Sequence, residues 1–248
     1  MNPLIGRIEE HSNPDELARA ALESFRSIAR DAVERRGRCV VALTGGSSPE
    51  RLFRLLADPV LADEIPWERV HFFWGDERAV RPGHPRSNSR LADRLFIRPL
   101  ALAGANVHRI HGELGARRAA ERYEAELHRF FGEHPRFDLV HLGLGDDGHV
   151  ASLFPFDATT LHERVRLALP ALHPALGEWR VTLTYPVLRA ARHIEFLVPS
   201  SAKARVLRRA MYGPLDPIRI PAQGVRPRHG DLLWRVTSEV LAAARAGD

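Results

Sequence analysis

Cysteine is almost absent: one residue, Cys39, occurs in 248, so an intrachain disulfide and a cysteine-based zinc cluster are both excluded. Lysine is equally rare. Of 36 basic residues 35 are arginine and one, Lys203, is lysine; asparagine occurs four times and glutamine once. No stretch of 18 apolar residues exists, which excludes a membrane-spanning helix. The first ten residues lack an apolar run after a basic segment, so no secretory leader is read there and the expected location is cytoplasmic. Clustered bases with interleaved aromatics and a recognition-helix motif are also missing. The 31 acids are interspersed among the bases, so the net charge of +5 and the pI of 10.2 reflect unopposed arginines rather than a basic stripe. The nearest approach to a run, residues 30–38, falls at a helix end, where cations suit the dipole. Neither nucleic acid nor membrane is an expected partner.

What is present is an ordinary globular composition, 44% hydrophobic, 27% charged and 7% aromatic, which separates the chain from disordered, collagenous and disulfide-rich classes. A chain of this mass folds to a surface of roughly 11,000 Å² from about 40,000 Å² extended, so about 73% can be buried. Apolar runs alternate with helical patterns from end to end, which predicts an α/β fold with a mostly parallel sheet flanked by helices. Asn13-Pro14-Asp15-Glu16 reads as a helix start, followed by an apolar stripe of Leu17, Ala21, Phe25, Ile28 and Ala32 and a stop at Gly37. Strands are predicted at residues 39–43, 70–74, 139–144, 165–169, 181–184, 194–198 and 232–235. Helices are predicted from Pro49, at residues 87–95, 117–131 and 202–211, and from Thr237. With no linker or repeat, residues 1–248 are read as one domain carrying a small insert at residues 97–115.

Three of these strands run into polar loops, and in open parallel sheets ligands bind beyond the carboxyl ends of the strands. The first loop, Gly45-Gly46-Ser47-Ser48-Pro49, combines close backbone approach, hydroxyls and free N–H groups, which suit an anion. It also reads as a tight strand-to-helix turn capped by Ser48. It lacks the spacing of an NTPase loop or a dinucleotide fingerprint. The second, Asp76-Glu77-Arg78, offers a guanidinium able to grip a phosphate or carboxylate bidentately, with an acid to orient it or to bind a hydroxyl; a surface salt bridge is the plainer reading. The third, Asp147-Gly148-His149, places an imidazole in a glycine turn with acids two and three residues before it. Such a histidine fits a general base held by a carboxylate, a structural histidine, or a metal ligand without the companions that a helical metal site needs. No nucleophile elbow occurs, and Cys39 lies in an apolar strand. These features suit hydrolysis or proton transfer on a small phosphorylated substrate.

Taken together, the segments from Val41-Ala42-Leu43-Thr44-Gly45-Gly46-Ser47-Ser48-Pro49 through Asp76-Glu77-Arg78, His84-Pro85 and Ser87-Asn88 resemble the 6-phosphogluconolactonase family. So do Gly143-Leu144-Gly145, Asp147-Gly148-His149, Ala151-Ser152-Leu153-Phe154-Pro155, Arg180-Val181-Thr182-Leu183-Thr184 and Lys203-Ala204, in the family's order. Arg86, Val150 and Ser200 depart from the residues common there. The resemblance implies the fold shared with sugar-phosphate isomerases and glucosamine-6-phosphate deaminase. It further implies cofactor-independent opening of 6-phospho-D-glucono-1,5-lactone in the pentose phosphate pathway, and no metal site is expected. His149 would be the base, oriented by Asp147 or another acid. Arg78 and Lys203 would hold the anionic substrate beside Gly45, Gly46, Ser47 and Asp76. A monomer or weak homo-oligomer is expected. The deaminase of the same fold resembles this chain less, because its glutamate five residues after the histidine is Phe154 here. A sugar-phosphate-sensing regulator would need a DNA-binding helix pair before the first long helix, where there is no room for one.

Overall fold

The computed structural model describes residues 6–61 and 63–246. The chain opens with strand β1 (Arg7–His11), which the sequence reading missed, and helix α1 (Pro14–Arg36). Asn13 caps α1 from extended backbone, its side-chain carbonyl accepting from the N–H groups of Asp15 and Glu16 at 3.0 Å each. Proline leads the helix, acids face its positive end, and Gly37 closes it at φ 74°, donating to the Val33 carbonyl. Leu17, Ala21, Phe25 and Ala32 are buried, and Ile28 packs half-buried against the same core.

There follow β2 (Cys39–Leu43), α2 (Glu50–Leu56), β3 (Val70–Trp74), β4 (Asp76–Arg78), α3 (Asn88–Ala92), α4 (Ala116–Phe131), β5 (Leu139–Leu142), α5 (Ala158–Leu161), β6 (Ala168–His173), β7 (Glu178–Leu183), α6 (Tyr185–Ala190), β8 (His193–Val198), α7 (Ala204–Tyr212), β9 (Asp231–Thr237) and α8 (Ser238–Ala246). Six strands pair in parallel in the order β1-β9-β8-β5-β2-β3. β2 is buried throughout, as its unbroken apolar run predicts for a strand covered on both faces. From β2 the chain moves outward to β3, then returns across β2 to β5 on the other side. The reversal opens a crevice at the carboxyl ends of β2 and β5, the place where doubly wound folds bind ligands.

The remaining strands form a second sheet, β4-β7-β6, entirely antiparallel. Asp76-Glu77-Arg78, read from sequence as a loop, is therefore a short strand whose partners are Thr182, Val181 and Arg180. β6 and β7 are joined by a tight turn at Gly177, whose φ is 60°. A connection that short permits only an antiparallel pair; a parallel pair needs a long crossover. The segment read as a small insert, residues 97–115, packs onto the main core. Val107 bridges Phe72 at the edge of β3, and Ile97 and Ile110 enter the main core, so the segment covers what would be an open sheet edge.

Candidate active site

Two loops, strand β4 and the amino end of α7 meet around a cleft of about 250 Å³ at the reversal point. Gly45, Gly46, Ser47, Asp76, Arg78, His149 and Lys203, all singled out from sequence, line it together with Asp146, Asn88 and Arg180. The first loop is shaped by two glycines with different reasons. A Cβ on Gly45 would fall 1.8 Å from Asn88 Oδ1, whereas Gly46 takes φ 78°. The expected Ser48 cap does not form. α2 begins at Glu50 behind Pro49, whose φ of −85° and ψ of −6° are already helical and which brings no side-chain acceptor; Ser48 faces the cleft instead.

In the second wall Glu77 is buried beneath the surface. Burial holds its carboxyl above the usual range, although it accepts from the N–H groups of Ser89, Asn88 and Arg78 and from the Ser87 hydroxyl. Two of these donors belong to the first turn of α3, so Glu77 ties that helix to β4. Asp76 is buried as well, and its carboxylate is already engaged: it accepts from Ser152 Oγ at 2.7 Å and Asn88 Nδ2 at 3.1 Å, with Arg180 Nη1 at 3.8 Å. Arg78 donates through Nη1 to the Arg86 carbonyl and to Asn88 Oδ1, each at 2.5 Å, and its buried Nε has no acceptor among the described residues.

Arg180 was quoted from sequence only as part of a motif, and the structure places it in the cleft wall. It stands directly opposite Arg78 in the antiparallel register. Its guanidinium is buried, contacts Glu178 at 3.2 Å, lies 5.7 Å from the Phe154 ring centre, and leaves Nε without an acceptor. Burial lowers its affinity for its proton, Asp76 works against that, and Arg78 adds to it. Like charges facing each other across a ladder are unfavourable, and neither Nε has an acceptor among the described residues. The sequence signal was present: one cation heading the segment Arg180-Val181-Thr182-Leu183-Thr184, whose other residues are apolar or hydroxyl-bearing.

The third loop holds His149 in a fixed pose. Asp147 Oδ1 accepts from the His149 backbone N–H at 2.9 Å and lies 2.6 Å from Nδ1. A proton on Nδ1 is thereby held by a carboxylate, and Nε2 keeps its lone pair. Burial opposes ionisation of Asp147, but the hydrogen bond and charge of His149 overcome it and bring the carboxyl down to about 2. Gly145 makes room for the ring, since a Cβ there would fall 2.1 Å from His149 Nδ1. Its N–H donates to the His149 carbonyl, and Gly148, at φ 95°, donates back to Gly145. Phe154 packs 5.0 Å from the imidazole on one side. Ala151, also in the cleft wall, takes φ 50°, an uncommon strain for a residue with a side chain. Lys203 occupies the last position before α7 and its ammonium pairs with the Asp146 carboxylate. Among the described residues no group of three or more His, Cys, Asp or Glu side chains is placed to hold a metal ion, and no helix is long and apolar enough to cross a membrane.

Comparison with known proteins places these features in a family. Residues 12–234 match the family described as glucosamine-6-phosphate isomerases/6-phosphogluconolactonase. A 6-phosphogluconolactonase of Synechocystis is 39% identical over 209 residues, covering 82% of this chain and 83% of the relative. One from Nostoc is 36% identical over 208 residues with the same coverage. The crystal structure of 6-phosphogluconolactonase from Thermotoga maritima superimposes with a TM-score of 0.81 at 28% identity, over 94% of this chain and 99% of that one.

Proposed function

The chain belongs to the glucosamine-6-phosphate isomerase/6-phosphogluconolactonase family, and from that premise we propose that it is a 6-phosphogluconolactonase, hydrolysing 6-phospho-D-glucono-1,5-lactone with His149 as general base. The observation that carries the reading is the Asp147–His149 pair at the edge of a cleft walled by Arg78, Arg180 and Lys203.

Nε2 of His149 takes a proton from water as its oxygen attacks C1 of the lactone. The C1 carbonyl becomes a tetrahedral oxyanion, the bond from C1 to the ring oxygen breaks, and the imidazolium returns its proton to the departing alkoxide. Asp147 stabilises the imidazolium between these steps without taking its proton, as its low pKa requires. General-base help of this kind supplies about 10²- to 10⁴-fold, enough for an ester as reactive as a lactone. The substrate phosphate sits where Arg78 and Arg180 face each other, relieving their repulsion, and draws Lys203 away from Asp146. That remote binding orients C1 toward the water. Gly45, Gly46 and Ser47 flank the substrate through backbone N–H groups and a hydroxyl. Asp76 acts from behind, holding Asn88, Ser152 and Arg180.

The deaminase reading has less support. Phe154, buried and against the imidazole, occupies the position where that chemistry would place a carboxylate. The same proposal takes residues 1–248 as one domain, supported by a continuous core that joins residues of both sheets. The deciding assay follows lactone loss above the spontaneous rate beside the His149→Ala protein. Equal rates overturn the reading, and ammonia release from glucosamine 6-phosphate would favour the alternative.

A further inference from the structure

A second cleft, of about 430 Å³, lies at the opposite end of the parallel sheet, lined by Arg36, Arg38, Arg136, Arg192 and Asp138 with Phe131 at one side. Arg36 ends α1, Asp138 precedes β5 and Arg192 precedes β8. The site therefore borders the amino ends of β2, β5 and β8, about 16 Å from the first cleft along a five-residue strand.

Its charges do not balance. Asp138 is buried, with one oxygen accepting from the Val40 N–H at 2.8 Å and the other shared between Arg36 Nη2 at 3.0 Å and Arg192 Nε at 3.3 Å. Asp31, 3.9 Å from Arg36, is the other carboxylate within ion-pair reach. Among the described residues Arg136 reaches only the His229 carbonyl, at 3.0 Å, and its Nε is buried without an acceptor. Arg38 lies over the Phe130 ring at 4.4 Å and pairs with no carboxylate among the described residues. Two carboxylates thus face four guanidiniums. Burial and the neighbouring Arg136 and Arg36 weaken the hold of Arg192 on its proton, against the pull of Asp138. Planar guanidinium forks around a concave space match phosphate oxygens bidentately.

We propose that this cleft is a second, non-catalytic binding site for a small phosphate-bearing anion, gripped by Arg136, Arg38 and Arg192, with Asp138 holding Arg36 and Arg192 in place. Its assignment is independent of the lactonase reading.

Pyrophosphate is the probe, measured by calorimetry at constant ionic strength against chloride. In an Arg78→Gln background, which weakens the catalytic cleft, saturable binding of one pyrophosphate per chain is expected. Adding Arg38→Gln and Arg136→Gln should weaken that binding at least tenfold. In the otherwise native protein the same two substitutions should leave lactone kcat/KM unchanged. If Arg78→Gln does not fold, amide hydrogen exchange on the native protein replaces it: pyrophosphate should slow exchange over residues 130–138 and 190–193. No binding beyond chloride, binding that survives the Arg38 and Arg136 substitutions, or protection confined to residues 44–48 and 143–149 would each overturn the assignment.

Discussion

At the scale of single residues the chemistry rests on how tightly His149 is posed. Replacing it by alanine should lower kcat by about 10²- to 10⁴-fold with little change in KM, and steady-state kinetics on a folded variant checks both constants. Gly145→Ala tests the pose without removing the base. The new methyl would lie 2.1 Å from Nδ1, so the ring must swing away from Asp147, and a displacement of about 1 Å costs on the order of 10²-fold in rate. A Gly145→Ala enzyme with native kcat would show that the pose is not needed. Lys203 is the single place where the arginine background is broken, and its ammonium already engages a carboxylate in the cleft. A wider, planar guanidinium cannot replace a compact ammonium there. Lys203→Arg should therefore lower kcat/KM by roughly tenfold or more, mainly through KM; full retention would make the lone lysine an accident of composition.

Among the elements, β4 and α3 carry the anion-gripping wall, and Glu77 joins them. Glutamine in its place presents an amide NH₂ to donors that now meet a carboxylate oxygen, leaving buried N–H groups unpaired at about 1–3 kcal/mol. Thermal unfolding of Glu77→Gln should show that loss. Its kinetics should show a KM raised more than kcat is lowered, because Arg78 and Asn88 shift while His149 sits on another loop. The Asn13 cap makes a clean contrast. Asn13→Ala removes two hydrogen bonds from the start of α1, which does not line the cleft, so stability should fall by about 1 kcal/mol with kcat/KM intact.

For the whole molecule, a buried ionic cluster that lines neither cleft contributes to acid stability. Glu195 on β8 is buried; burial works against its charge, but His141 at 3.7 Å and Arg235 at 2.9 and 3.0 Å bring its carboxyl down to about 2. A depressed carboxyl stabilises the fold fully above its ordinary value of 4.5 and loses that contribution as pH falls toward 2. The loss amounts to about 3 kcal/mol. Denaturant midpoints across this window should fall with pH, and Glu195→Gln should flatten the slope; an unchanged slope would place the acid sensitivity elsewhere.

Local physics made much of this legible in advance. The cap and stop of α1, the apolar runs of β2 and β3, and the polar loops after β2 and β5 follow from residue type and period, which depend on near neighbours alone. So did the Asp147-Gly148-His149 turn. What lay beyond reach were pairings between distant segments. β1 reads Arg-Ile-Glu-Glu-His, with no apolar pattern, because its place on the sheet edge is set by backbone bonds to β9. Arg180 became a cleft residue only when antiparallel register set it against Arg78, and only the fold showed that the Asp76 carboxylate in the cleft wall accepts from Ser152 and Asn88. The second arginine cleft has no linear signature, since its arginines and Asp138 lie on three segments, at residues 36–38, 136–138 and 192, more than 50 residues apart. By itself the sequence determined which groups could do the chemistry; the tertiary structure decided which of them share a cavity, because charge and hydrogen bonding act through distance in space.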